Sequence, residues 1–328
     1  MKRIKPLFTR ILLFGIIMIV NASCDKKSSN NDPAPSSSYR ISEINFYEDD
    51  TLMQKSVVSY NGNQITEILG YMGNTKTPTL YYKENLEYAA GKINKMIVYM
   101  MENNVWRNYS QLEVKSFSGS KPTEVIYTYY DTTGTVTWQY KYIYVFSNDR
   151  ISETTFYLFE NGAWISSGKK VYNYNDTGQL ITQQEYDSDG FPAYKSAFTW
   201  VGGVVAEKIR IRPDGTTSSK YVYEYSNSLT SKESYYYWKN NNWDLQEYTM
   251  FLYNSNNCIS EERSVGASNS HTSNAVYTYQ SGTGNYRELA CVFGEYNFWP
   301  GDPQPLPTKS ASGDKSIQGK LFPSFIVH

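Results

Sequence analysis

Along most of the chain, apolar and polar residues alternate with a period of two. Tyr140-Lys-Tyr-Ile-Tyr-Val-Phe146, Tyr221-Val-Tyr-Glu-Tyr225 and Ala275-Val-Tyr-Thr-Tyr279 show the pattern. Such alternation puts every second side chain on one face of a strand, and the aromatic and β-branched content supports the same assignment. Each run closes on an aromatic anchor: Tyr60, Tyr88, Phe117, Phe146, Tyr174, Trp200, Tyr225, Tyr253 and Tyr279. Successive anchors lie 25 to 29 residues apart. A period in this range marks a repeat architecture.

A short polar turn follows each anchor, as at Asn61-Gly62-Asn63, Ala89-Ala90-Gly91 and Asn175-Asp176-Thr177-Gly178. Gly and Asn supply the positive-φ positions of tight hairpins. A second strand then opens on an aliphatic residue (Ile65, Ile93, Ile151, Leu180, Ile259), with Glu67, Glu153 and Glu261 two residues after three of these. The turn that ends each copy takes two forms. Three copies carry Asn-rich turns with a tryptophan, and Trp106, Trp164 and Trp243 each lie 18 residues past an anchor. Others carry Asp/Gly turns such as Asp187-Ser-Asp-Gly190. Two strands and two tight turns per copy predict an all-β antiparallel meander, because parallel strands need crossovers of a dozen or more residues. Nine copies predict roughly 18 strands. The expected architecture is an elongated twisted or superhelical sheet, with a β-propeller or a curled β-shell as alternatives.

The two ends depart from this pattern. Lys2, Arg3, Lys5 and Arg10 precede an apolar run from Ile11 to Val20, the layout of a secretory signal too short for a transmembrane span. Asn21-Ala22-Ser23 then leads into Cys24. This resembles the lipobox of bacterial lipoproteins. The resemblance implies cleavage after residue 23, acylation (palmitate among the chains) of Cys24, and an outer-membrane address with periplasmic or surface orientation open. Residues 24–38 read as a lipidated cysteine and a flexible tether, 39–285 as the repeat array, and 286–328 as a C-terminal cap and tail. Trp299-Pro-Gly-Asp-Pro-Gln-Pro-Leu-Pro307 is too proline-rich for a central strand and is expected to cover the last one.

Removing residues 1–23 leaves 27 basic against 32 acidic side chains, a net charge of −5. That balance disfavours nucleic acid as a partner. Cys258 and Cys291 are the remaining cysteines; an envelope location permits their pairing and the spacing does not require it. No metal-ligand spacing and no cofactor motif is present. Asp187-x-Asp189-Gly190 offers hard oxygens, but Asp-Gly is also a common hairpin turn. The only histidines are His271, in a polar loop, and His328, the last residue. Glu67, Glu153 and Glu261 recur at equivalent positions, whereas a glycosidase needs two unique acids.

The stretch Tyr172-Asn-Tyr-Asn-Asp-Thr-Gly178-Gln-Leu180 resembles the YD repeat of RHS-type proteins, with Asn175 and Gln179 in place of Asp and Arg. The Asn-Gly-x-Trp turns with Tyr-rich strands are similar to repeat lipoproteins of Bacteroidetes-type bacteria. These resemblances imply a β-hairpin repeat protein, lipid-anchored and non-enzymatic, that displays a surface to an unidentified partner. An alternative is a glycan-binding protein of a nutrient-capture system using Trp106, Trp164 and Trp243. A further alternative is a hydrolase with an unrecognised site.

Overall fold

The computed structural model describes residues 39–282, apart from 74–77, 120, 149, 228, 257 and 269–271. Cys24, Cys291, His271 and His328 lie outside the described residues, as do the signal, the tether and the C-terminal cap segment.

Eighteen strands follow one another. The first six are β1 (Tyr39–Glu48), β2 (Thr51–Asn61), β3 (Gln64–Met72), β4 (Thr79–Ala89), β5 (Lys92–Glu102) and β6 (Val105–Ser118). The next six are β7 (Lys121–Tyr130), β8 (Val136–Ser147), β9 (Arg150–Glu160), β10 (Ala163–Tyr174), β11 (Leu180–Tyr186) and β12 (Pro192–Val201). The last six are β13 (Val204–Ile211), β14 (Thr217–Ser226), β15 (Leu229–Lys239), β16 (Asn242–Tyr253), β17 (Ile259–Gly266) and β18 (Thr272–Ser281).

Each strand pairs antiparallel with its sequence neighbours, and β1 also pairs with β18. The sheet is therefore a closed barrel. This corrects the expectation of an open twisted or superhelical sheet, and equally the propeller and the curled shell. The physical reason lies in β1. Eight anchors face the opening residue of the strand that follows them, as in Tyr60↔Ile65, Tyr88↔Ile93 and Phe146↔Ile151. The ninth, Tyr279, faces Ile41 of β1 instead. The ninth copy is split across the two ends of the array, and joining its halves removes both sheet edges. Unpaired edges invite association with other chains, and closure abolishes them.

A bulge recurs beside each anchor, for example between Ser59 and Tyr60, Glu87 and Tyr88, and Leu252 and Tyr253. Bulges bend a strand and increase its twist, which is what curling a meander into a ring requires. The anchors then tie neighbouring hairpins together. Tyr60 Oη donates to the Ile41 carbonyl at 2.6 Å, Tyr88 to Ile65 at 2.7 Å, Tyr174 to Ile151 at 2.9 Å and Tyr225 to Val205 at 2.7 Å. Tyr253 reaches Thr230 at 2.8 Å, Tyr279 reaches Ile259 at 2.6 Å, and the Trp200 indole N–H reaches Leu180 at 2.8 Å. Phe117 and Phe146 carry no donor, and the belt is interrupted there.

The inner face is a packed core. Ile41, Ile65, Ile93, Met96, Leu112, Val125 and Leu180 are all buried, and they belong to one apolar cluster against which all nine anchors pack. The outer face is polar. On β4, Tyr82, Glu84 and Leu86 point inward and are buried, while Lys83, Asn85 and Glu87 alternate with them. Outer-face ion pairs include Lys55–Glu43 at 2.5 Å, Lys169–Glu153 at 2.9 Å and Arg263–Glu261 at 2.7 Å.

Candidate functional site

The antiparallel meander sorts the turns onto two rims. One rim carries the anchors and both ends of the barrel, since Tyr39 pairs with Ser281. The opposite rim carries the turns that close each copy. All three candidate tryptophans lie on that second rim, at the hairpins β5–β6, β9–β10 and β15–β16. Their turns are two-residue hairpins with both residues in the left-handed region. Asn103 and Asn104 have φ of 49° and 62°, and Asn240 and Asn241 have 53° and 60°. Asn tolerates this region better than most residues, which is why these turns are Asn-rich.

The three tryptophans occupy the same constellation. Each stands across the hairpin from an apolar partner: Met101↔Trp106, Phe159↔Trp164 and Trp238↔Trp243. The last two pairs are edge-to-face at 5.1 Å and 4.8 Å. A lysine from the strand two places earlier, β4, β8 or β14, lies over each indole: Lys83 at 4.9 Å, Lys141 at 4.9 Å and Lys220 at 4.8 Å. The same lysines lie over Tyr99, Tyr157 and Tyr236. Such contacts contribute about 0.5–1 kcal/mol at exposed sites. The lysine and tyrosine were missed in the sequence, although their signal is there: each triad reads Lys, then Tyr 16 residues on, then Trp 7 further. One side of each indole is thus engaged by its own wall. The three triads sit on separate hairpins rather than in one continuous row. Between and beside them the rim exposes Trp138, Phe159, Ile165, Phe191 and Tyr194.

Other candidate residues serve local structure. Asp187 Oδ1 accepts the backbone N–H groups of Asp189 and Phe191 at 3.0 Å and 2.9 Å, closing its own turn. Among the described residues, no group of three His, Cys, Asp or Glu side chains is placed to hold a metal ion. Glu153 and Glu261 are engaged by Lys169 and Arg263 on the outer wall. Cys258 is fully buried where β17 begins; its suggested partner, Cys291, lies outside the described residues.

The interior holds ionisable groups that periodicity did not reveal as buried. Glu84 is fully buried between Ile68 and Val98, and neither carboxyl oxygen has a hydrogen-bond partner. Desolvation holds its pKa well above the usual carboxylate range, which favours the protonated form. On the β10–β13 side, Glu185 meets Arg210 at 3.3 Å and Lys170 at 3.9 Å. Nearby, burial lowers the Lys208 ammonium to about 7, with Arg210 and Lys170 pushing the same way and Glu233 and Glu185 opposing.

No protein-family model matches the sequence, and the search of curated proteins found no match. Several solved structures align loosely. A porin-like protein from Bacteroides uniformis is 12% identical, with 73% of this chain and 98% of that chain covered and a TM-score of 0.39. A protein of unknown function from Bacteroides fragilis is 15% identical over 36% of this chain and 91% of its own, at a TM-score of 0.30. The Photorhabdus luminescens Tc holotoxin pore aligns at 10% identity, covering 70% of this chain and 14% of that chain, at a TM-score of 0.25. At these scores the likenesses define no shared architecture. The described residues hold no helix long and apolar enough to cross a membrane.

Proposed function

We propose that the chain is a non-enzymatic, lipid-anchored protein of the bacterial outer membrane that displays a rigid, water-facing β-barrel to a partner. The observation that carries this reading is the N-terminus: a basic segment, an apolar run, small residues and then Cys24. Two structural facts support it. The barrel begins and ends on one rim, which leaves the other free to face away from an anchor. Its outer face carries ion pairs suited to water. The test is metabolic labelling with palmitate in a host with lipoprotein processing. Label on the wild type, its loss in Cys24→Ala, and blockage of processing by globomycin are expected. An unlabelled protein in the soluble fraction would overturn the anchored reading.

A second reading is glycan binding at the tryptophan rim. The exposed aromatic residues Trp138, Phe191 and Tyr194 beside the triads favour it, because sugar rings stack on such surfaces. Glycan arrays that compare the wild type with Trp106→Ala, Trp164→Ala and Trp243→Ala decide it. Absence of a bound glycan, or binding undiminished in all three variants, removes this reading.

A further inference from the structure

We propose that the tips of the β7–β8, β9–β10 and β11–β12 hairpins form a docking surface for an extended basic segment of a partner protein, with one cationic side chain at Trp138 and a second at Phe191. The inference rests on the reading of a barrel that displays a surface to a partner, and it names that partner's chemistry; the anchor has no part in its evidence. Trp138 and Phe191 are 54% and 67% exposed. Other rings on this rim already carry a cation: Lys141 lies over Trp164 at 4.9 Å and Arg210 over Tyr194 at 4.0 Å. Among the described residues, no cation lies over Trp138 or Phe191. Carboxylates stand beside these two rings instead. Asp131 opens the turn that leads to Trp138. Glu160 is level with Trp138 on the neighbouring strand, since each lies two residues past the pair Tyr140↔Leu158. Asp187 Oδ1 accepts the Phe191 N–H at 2.9 Å, and Asp189 lies in the same turn. All four acids are exposed. The Thr133 hydroxyl, at 2.6 Å, and the N–H groups of Thr133 and Thr135 hold Asp131 below the usual carboxylate range, so it is ionised at neutral pH.

The cations nearby are engaged or turned elsewhere. Arg107 is held by Glu102 at 3.4 Å and donates to the Thr132 carbonyl at 2.8 Å. Arg210 is paired with Glu185 at 3.3 Å. Lys195 follows Tyr194 on β12 and so stands on the other face of the sheet. An exposed ring beside an ionised carboxylate suits an arginine or lysine, whose charge meets the acid while its stem or flat face covers the ring. A neutral sugar would leave the four carboxylates without a counter-charge, and an anionic lipid surface would be repelled by them. Spacing narrows the partner further. Trp138 lies on β8 and Phe191 leads into β12, four strand spacings or about 19 Å away. Six residues of extended chain cover about 20 Å, and an even separation keeps both cations on one face. The residues between them would cross the β9–β10 tip, where Ile165 is 48% exposed on the same face as its cross-strand partner Leu158. The fitting segment is therefore basic at both ends and apolar between them.

The experiment uses the mature chain with Cys24→Ser, so that no acyl chain contributes, and a fluorescent peptide, Thr-Arg-Thr-Val-Thr-Val-Thr-Arg-Thr, followed by anisotropy. Binding is expected, and it should weaken as salt rises. A peptide of the same composition with its arginines two residues apart should bind about tenfold more weakly, because one cation then misses its ring and acid. The peptide with glutamate in place of both arginines should not bind. Each ring and each acid is expected to contribute about threefold. Trp138→Ala with Phe191→Ala should therefore weaken binding about tenfold, and Asp131→Asn with Asp187→Asn should do the same. Asparagine keeps the Oδ1 acceptor that closes each turn, so the second pair removes charge with the fold intact. Tyr237→Ala with Asp214→Asn, further round the rim, should leave binding unchanged. No binding of the first peptide, affinity indifferent to arginine spacing, or affinity indifferent to both variant pairs would overturn the proposal. A bound glycan lost in Trp138→Ala but not in Asp131→Asn with Asp187→Asn would assign the rings to sugar, which also overturns it and leaves the glycan reading standing. Absence of palmitate label in cells would overturn the anchor alone and leave the peptide result standing.

Discussion

The two sides of the barrel interior solve the same burial problem in opposite ways. From β2 to β8 the inner face is aliphatic and tyrosine-rich, and the deeply buried Glu84, whose carboxyl oxygens have no hydrogen-bond partner, is pushed by desolvation toward its protonated form. From β10 to β15 the inner face gathers Lys170, Glu185, Lys208, Arg210 and Glu233, and the ions are held against one another. A lumen that excludes water tolerates an ionisable group when it is neutralised or paired. The first solution relies on close packing, the second on charge geometry. Substitutions should separate them.

The largest effect is expected on the packed side. The Tyr82 ring lies flat over Gly70 of β3 and reaches across to β2, where its hydroxyl is 2.8 Å from Gln54 Nε2 and 2.9 Å from Ser56 Oγ. A Cβ at Gly70 would stand 1.8 Å from the ring. Gly70→Ala must displace Tyr82 and break both bonds, at a cost of about 3 kcal/mol in urea unfolding. An undisturbed midpoint would refute the packing account. On the charged side, Glu185→Gln leaves Lys170 and Arg210 without their carboxylate. Arg210 is 30% exposed, so solvent screens part of the loss. We expect about 2 kcal/mol, and Glu185→Gln combined with Lys170→Met should recover part of it.

The pH dependences should have opposite signs. Above pH 4.5 the unfolded chain releases the Glu84 proton that the folded barrel retains, so this group lowers stability as pH rises toward its folded pKa. Lys208 does the reverse. Between about 7 and 10.5 the unfolded chain holds a proton that the folded barrel does not, so stability rises with pH across that window. Glu84→Gln should therefore remove a loss of stability on raising the pH from 4.5, and Lys208→Met should remove a gain above 7. Thermal melts of both variants across pH 4 to 10 check the signs.

The smallest effects concern the anchor belt, which both sides share. Tyr253→Phe deletes the bond to the Thr230 carbonyl and should cost about 1 kcal/mol. Phe146→Tyr supplies a hydroxyl at one gap in the belt and should gain a few tenths of a kcal/mol. A stabilised Tyr253→Phe variant would mean that the belt bonds are incidental.

Strand content, direction and approximate number were legible in the chain because alternation and turn chemistry are local signals. Closure was not, because it depends on reading Ile41 as equivalent to Ile65 and Ile93 although no anchor precedes it. The anchors were legible as aromatics, but not as donors to the preceding hairpin, since that bond joins strands more than 18 residues apart. The tryptophan offset was visible, and the matching lysine and tyrosine were visible only once their contacts were known. Glu84 and Lys208 resembled solvated members of alternating runs. Their burial follows from which face turns inward, and the register of the closed sheet sets that.

Ring closure by β1 is the central claim, and one cross-link tests it directly. Asn45 of β1 is paired with Val276 of β18. Asn45→Cys with Val276→Cys, oxidised and mapped by mass spectrometry to separate it from the native cysteines, should form an intramolecular disulfide in the folded monomer. Free thiols at both positions, or a bond formed only between two chains, would contradict closure and restore an open array.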